Sequence, residues 1–280
     1  MSDRLKVLPQ YLMPKLAMTR LAGYLASRPL GAITTATIRR FVARYQVNMA
    51  EAAQGDITAY ATFNDFFTRA LKDGARPLAD APLICPVDGA ISQVGRIAGD
   101  QIYQAKGQAF STTALLGGDA ALAARFQDGL FANLYLSPRD YHRIHMPAAG
   151  RLLSMTHVPG ELFSVNPTTA RGVPGLFARN ERLVCVFENE QLGRWVLVLV
   201  GATIVGSMAT VWQGLIKREG PVRDWNYSSQ DIRLAQGEEM GRFLLGSTVV
   251  MLFPEGPLQF NPAWAPGGAI RLGEAMARRG

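Results

Sequence analysis

Up to about residue 45, apolar side chains recur every three or four positions, which is helical spacing. Met18, Leu21, Ala22 and Leu25 share one face; Ile38, Phe41, Val42 and Tyr45 share another, with Arg39, Arg40 and Arg44 around the opposite side. Pro14 can open the first of these helices, and Pro29-Leu30-Gly31 closes it. Residues 46–75 also read as helical, running through Phe63-Asn64-Asp65-Phe66-Phe67 to the turn at Asp73-Gly74. From Arg76 the period shortens. Val87-Asp88-Gly89-Ala90-Ile91-Ser92-Gln93-Val94-Gly95, Phe131–Leu136 and Phe243–Phe253 read as strands, with a helix-like patch near Thr113–Phe126. Trp195–Trp212, within the longest uncharged run, reaches the bare length of a membrane span. Its alternating valines and leucines, interrupted by Gly201 and Gly206, instead predict two buried strands joined near Gly201-Ala202. Residues 217–236 are polar and read as a loop. The prediction is an α+β fold, with a β-rich sandwich- or barrel-like core over residues 46–280 and amphipathic helices over residues 1–45.

Composition adds a compartment and a charge asymmetry. With 280 residues and 48% apolar content, the chain can bury a substantial core. Cys85 and Cys185 are far apart and form no CxxC pattern, which fits core thiols in a reducing compartment. The net charge is +7; eight of the 29 basic residues but only one of the 22 acidic ones fall in the first 45 positions, so the remainder is balanced. A basic helix with an apolar face suits an anionic bilayer surface, and equally suits packing on the protein with its charges solvated. Pro9, Pro14, Lys15 and Arg20 interrupt any signal-peptide core.

Candidate chemistry centres on Leu245-Gly246-Ser247-Thr248, where a glycine interrupts a strand and a hydroxyl follows its carbonyl. Given a base, the Ser247 oxygen could attack that carbonyl. His142 and His145, three apart, are the natural bases, and either Asp88 or Asp140 could orient one of them. His157 stands alone and reads as structural. No third ligand of suitable spacing accompanies the histidine pair, so no metal is expected. No glycine-rich phosphate loop opens a helix, and the Gly-x-Ser-x-Gly elbow of a serine hydrolase is absent, because Thr248-Val249 follows the serine.

Taken together, Leu245-Gly246-Ser247-Thr248, Tyr141-His142-Arg143-Ile144-His145-Met146-Pro147 and Pro86-Val87-Asp88-Gly89 resemble the phosphatidylserine decarboxylases of the bacterial membrane-associated type. Further matches at Leu136–Asp140, Pro159–Asn166, Leu176–Arg182 and Val200–Ser207 carry the resemblance from about residue 60 to 255. It implies a proenzyme that cuts itself between Gly246 and Ser247 into chains 1–246 and 247–280, with His145 as base and Asp88 orienting it. Ser247 then becomes a pyruvoyl group that forms a Schiff base with phosphatidylserine and accepts the electrons released with carbon dioxide. His142 is implied as proton donor and substrate contact, with Ser164 and Asn166 lining the pocket. The expected partners are phosphatidylserine and an anionic membrane surface, with both chains held together after cleavage, a homodimer, and no nucleic acid. The expected location is peripheral, on the cytoplasmic side of the cell membrane.

Overall fold

The structure is a computed structural model describing residues 3–105, 108–203, 207–218, 220–245 and 247–280, with Ser247 described by its backbone alone. The N-terminal periodicity forms α1 (Asp3–Leu12), α2 (Lys15–Ala26) and α3 (Ala32–Tyr45). Pro14 precedes the first turn of α2 rather than lying within it. The continuous helix expected over 46–75 is instead two short 3₁₀ turns and α4 (Phe63–Phe67). Asn48, Asp56 and Thr62 each cap a following backbone N–H with a side-chain oxygen, and so restart the chain every few residues.

The three N-terminal helices use their apolar faces differently. In α3, Ile38 is fully buried and, with Val47, Phe66 and Phe67, forms a cluster separate from the main core, with Phe41, Val42 and Phe63 packed against it. This face is internal packing, not a free surface. In α1, Val7 is buried, while Leu5, Leu8 and Leu12 face outward; in α2, Leu16, Leu21 and Leu25 do. α1 lies on α5 (Pro167–Gly172), where a Cβ added to Gly172 would meet the Asp3 carbonyl oxygen and both Val7 methyls at 2.9 Å. Glycine is what allows the helix to seat there.

The core is a nine-stranded antiparallel sheet. Its strands are β1 (Gly89–Arg96), β2 (Leu130–Leu136), β4 (Gly150–Val158), β5 (Arg182–Asn189), β6 (Gly193–Val200) and β9 (Ser247–Phe253), in the spatial order β4-β5-β6-β9-β2-β1. The expected loop at 217–236 contributes two of the remaining strands, Arg223–Asn226 and Arg233–Leu234, both paired with β4. Their polar side chains suit an edge exposed on one face, which is why the stretch carries no apolar signal. The third, Ala269–Ile270, pairs with β1. In the central strands, Trp195–Val200 and Val249–Phe253 are wholly buried, as apolar runs covered on both faces should be. A second sheet of four strands pairs Gly214–Leu215, β7 (Met208–Thr210), β8 (Glu239–Phe243) and β3 (Arg143–His145) in that order. The uncharged run is therefore β6 and β7, separated by a stretch that includes Gly201-Ala202; residues 204–206 lie outside the described residues. The packed layers carry no closed barrel among the described residues.

Candidate active site

At one end of the large sheet, two connections cross to the small one side by side. β2 ends at Leu136 and passes through residues 137–142 into β3; β8 ends at Phe243 and passes through 244–246 into β9. The crossings are bridged at both ends: Leu136 is paired with Ser247, and the Phe243 amide donates to the His142 carbonyl at 3.0 Å. Residues separated by more than a hundred positions in sequence are thereby fixed at one corner. Gly246 lies outside the described residues, and Ser247 is placed by its backbone at the head of β9.

His142 is wholly buried, and its ring lies 4.0 Å from that of Phe67. Nδ1 donates to the Asp140 carbonyl at 2.8 Å, which leaves Nε2 unprotonated, buried and without a hydrogen-bond partner among the described residues. Burial pushes its pKa down to about 3, with Arg69 adding to the effect, so the resting imidazole is neutral. Asp140 is committed to the turn itself: its carboxylate accepts from the Ser137 amide and hydroxyl, each at 2.7 Å. It therefore builds the loop that carries His142 and does not orient a ring through its side chain.

In His145, Nδ1 donates to the Gly237 carbonyl at 2.8 Å, and Nε2 accepts from the Tyr141 hydroxyl at 3.0 Å. Burial lowers its pKa, and the open lone pair of the neutral ring faces Tyr141. The orienting group here is a backbone carbonyl. Asp88, expected to hold the imidazole, takes Arg76 instead, accepting from Nε at 2.9 Å and Nη2 at 2.6 Å, and also accepts from the Leu272 amide at 2.9 Å. A guanidinium offers the carboxylate two parallel donors where an imidazole offers one, which is why the arginine wins. Asp88 reaches His145 only as a nearby charge, favouring its protonated form. The position of Asp88 is fixed by Gly89, where an added Cβ would stand 2.2 Å from the Tyr135 carbonyl oxygen.

Asp88 and Tyr141 line a cavity of about 320 Å³, together with Arg69, Arg76, Arg139 and Arg271. Arg69 is buried, donates to the Arg139 carbonyl at 3.2 Å and has its pKa lowered by desolvation. The other two expected residues sit on the loop before α5. The Asn166 side-chain oxygen caps that helix at the Thr169 amide, 2.9 Å away, and its amide donates to the Ser164 hydroxyl. The Ser164 backbone amide donates to Gln10 of α1 at 3.0 Å, and Gln10 also donates to Thr169. Asn166 thus shapes the loop. His157 is buried and bonded to Glu181 at 2.9 Å, as a structural histidine should be.

Sequence reasoning missed Arg76, Tyr141 and Gln10 as members of this assembly. Tyr141 stood inside the histidine motif and could have been weighed. Arg76 and Gln10 carry no local signal, since only the tertiary fold brings them to Asp88 and Ser164. Among the described residues there is no cluster of metal-binding side chains.

A family model described as phosphatidylserine decarboxylase matches residues 63–278, and one described as PSD matches residues 5–46. The phosphatidylserine decarboxylase proenzyme of Polaromonas sp. (strain JS666 / ATCC BAA-500) is 71% identical, covering 99% of both chains. That of Albidiferax ferrireducens is 71% identical over 100% of this chain and 99% of its own. The proenzyme of Chromobacterium violaceum is 68% identical over 99% of this chain and 100% of its own.

Proposed function

The chain belongs to the phosphatidylserine decarboxylase family, and from that membership and the geometry of the corner we propose that it cuts itself at Gly246–Ser247 and decarboxylates phosphatidylserine at a bilayer surface. The observation that carries this reading is the double bridging of the two crossings, Leu136 to Ser247 and Phe243 to His142. It sets the backbone of Ser247 beside the crossing that carries His142, with His145 three positions further on in β3, which supports the reading.

In the cut, the Ser247 hydroxyl oxygen adds to the Gly246 carbonyl carbon. Its proton passes to neutral His145 and from there to the departing Ser247 nitrogen as the C–N bond breaks, which leaves an ester. Loss of the Ser247 α-proton then expels the Gly246 carboxylate and leaves a dehydroalanine. Water converts this to a keto group with release of ammonia, and no external oxidant or reductant is consumed. Tyr141 holds the His145 lone pair in place until the hydroxyl replaces it.

The residues present fit the resulting pyruvoyl group. Residue 247 is paired with Leu136 on one side, the next residue, Thr248, is paired with strands on both sides, and His142 presents a buried nitrogen without a hydrogen-bond partner among the described residues in the adjoining crossing. The group supplies the electron sink into which the carboxylate's bonding pair moves as carbon dioxide leaves. His142, wholly buried, holds the proton that replaces carbon dioxide. Neutral at rest, His142 gains that proton when an anionic headgroup arrives beside it, because a nearby negative charge reverses the effect of burial.

Sheet order supports a lasting association of the two products. β9 lies between β6 and β2, and Leu258–Phe260 and Ala275–Arg279 form a three-stranded sheet with Leu83–Ile84. The small chain would stay threaded through the large one by main-chain hydrogen bonds. No helix is long and apolar enough to cross a membrane among the described residues. α1 and α2 instead offer outward leucines beside Arg4, Lys6 and Arg20, a surface suited to anionic lipid. Both cysteines are free and buried, which suits the cytoplasmic face.

Phosphatidylethanolamine formation from vesicles, scored beside denaturing electrophoresis, tests the proposal. The wild-type chain should run as two bands and be active, and Ser247→Ala as one band and inactive. An active, uncut Ser247→Ala chain would contradict it.

A further inference from the structure

Three non-glycine residues have positive φ among the described residues: Gln46 at 55°, Asp128 at 57° and Leu245 at 95°. The first two have ordinary explanations. Gln46 is the left-handed cap that ends α3, and Asp128 belongs to a type readily found in that region. Leu245 has neither excuse. It is a bulky residue at no helix end, and its Cβ makes this backbone conformation costly.

The surrounding contacts explain why it cannot relax. On its N-terminal side, the Phe243 amide is bonded to His142 and the Leu244 amide to the Ser207 carbonyl at 2.9 Å, within the small sheet. On its C-terminal side, Ser247 already pairs with Leu136 in the large sheet. Three residues must therefore carry the chain from one sheet to the other. The Leu245 side chain is held as well, packed against the cluster of Ile38, Val47, Phe66 and Phe67. The strained residue is thus clamped by two sheets and by the helical unit, one residue before the peptide bond that the family reading says is cut.

We propose that Leu245 is a positioning residue for self-cleavage: its clamped, strained backbone raises the energy of the uncut chain, and the cut relieves it by freeing the Gly246 end. This rests on the self-processing reading above. It gives the leucine of the Leu-Gly-Ser-Thr stretch a role distinct from that of the glycine and serine. It also makes completion of the α3–α4 cluster a condition for rapid cutting, so that the cut follows folding of the N-terminal unit.

Comparing Leu245→Ala with Leu245→Gly isolates the strain. Both lose the apolar anchor, but only glycine loses the Cβ. Cutting is followed by electrophoresis and intact mass in freshly synthesised full-length chain, and thermal stability is measured on the same variants carrying Ser247→Ala. We expect Leu245→Gly to cut about ten-fold more slowly than Leu245→Ala, the rate equivalent of about 1.4 kcal/mol. We expect its uncut form to melt higher, the reverse of what a purely structural role gives. Leu245→Met, which keeps both anchor and Cβ, should cut within about three-fold of wild type, a difference under 1 kcal/mol. Cutting by Leu245→Gly at or above the Leu245→Ala rate, with wild type cutting normally, would overturn this inference alone. A wild-type chain that stays uncut while active would overturn the self-processing reading and the inference with it.

Discussion

The corner between the two sheets and the outer face of α1 and α2 treat their side chains in opposite ways. At the corner, the carboxylates and one of the two imidazoles have internal partners. Asp88 has Arg76 and the Leu272 amide, Asp140 has Ser137, and His145 has Gly237 and Tyr141. Among the described residues, what stays open includes one nitrogen of His142, Nε and Nη1 of Arg69 and the Thr248 hydroxyl, together with the strain at Leu245. On α1 and α2 it is the apolar groups that lack partners, with Leu12 90% and Leu21 61% exposed. Chemistry on a backbone bond needs groups already held in place, so that little reorganisation is left for the reaction. Meeting a two-chain lipid needs apolar surface left uncovered. Gln10 joins the two regions, extending from α1 to the Ser164–Thr169 loop.

The sharpest break in this contrast is at His145. His145→Ala should slow cutting by about 10²- to 10⁴-fold, the usual contribution of a positioned base. The fraction cut against time on a denaturing gel measures this, and an unchanged rate would remove His145 from that role. The next largest effect belongs to the other region. Leu12→Glu together with Leu16→Glu should weaken binding to anionic vesicles at least about ten-fold, since each buried leucine contributes roughly 1.5–3 kcal/mol. Cutting should be untouched, so flotation and electrophoresis on one preparation separate the two regions; slowed cutting would show that they are not independent.

A smaller effect is expected at Tyr141. Its hydroxyl donates to the unprotonated Nε2 of His145 and so stabilises the neutral ring, in the same sense as burial. Removing it in Tyr141→Phe should raise the imidazole pKa. The rise of cutting rate with pH should then move to higher pH, by on the order of half a unit to one unit. A profile that stays put, or moves to lower pH, would contradict the assigned tautomer. An effect confined to α1 tests the joint between the regions. Gly172→Ala drives a methyl into Val7 and the Asp3 carbonyl, and should loosen α1 by about 1–3 kcal/mol. Faster amide exchange in α1, with β9 unchanged, is the expected signature.

The strands Trp195–Val200 and Val249–Phe253 of the large sheet were legible because burial on both faces demands unbroken apolar runs. The polar edge strands Arg223–Asn226 and Arg233–Leu234 were not, since an edge strand needs no such run. Ile38 and Leu21 read alike in sequence, yet one is core and the other surface. Amphipathicity reports that a face will be covered and not what covers it. Among the candidate site residues, His142, His145 and Ser247 were legible as candidates because they sit in compact motifs, on segments that the fold bridges through Leu136 and Phe243. The partner of Asp88 was not found. Arg76 is bound to it through tertiary geometry, and the order of residues holds no trace of which cation reaches a carboxylate first. The strain at Leu245 was equally hidden, because it arises from two sheets pulling on three residues.

Intact-mass analysis of an active preparation addresses the central claim most directly. The expected result is two polypeptides, residues 1–246 and residues 247–280, the second beginning with a pyruvoyl group in place of Ser247. A single chain of 280 residues with an unmodified Ser247, in a sample that still converts phosphatidylserine to phosphatidylethanolamine, would contradict it.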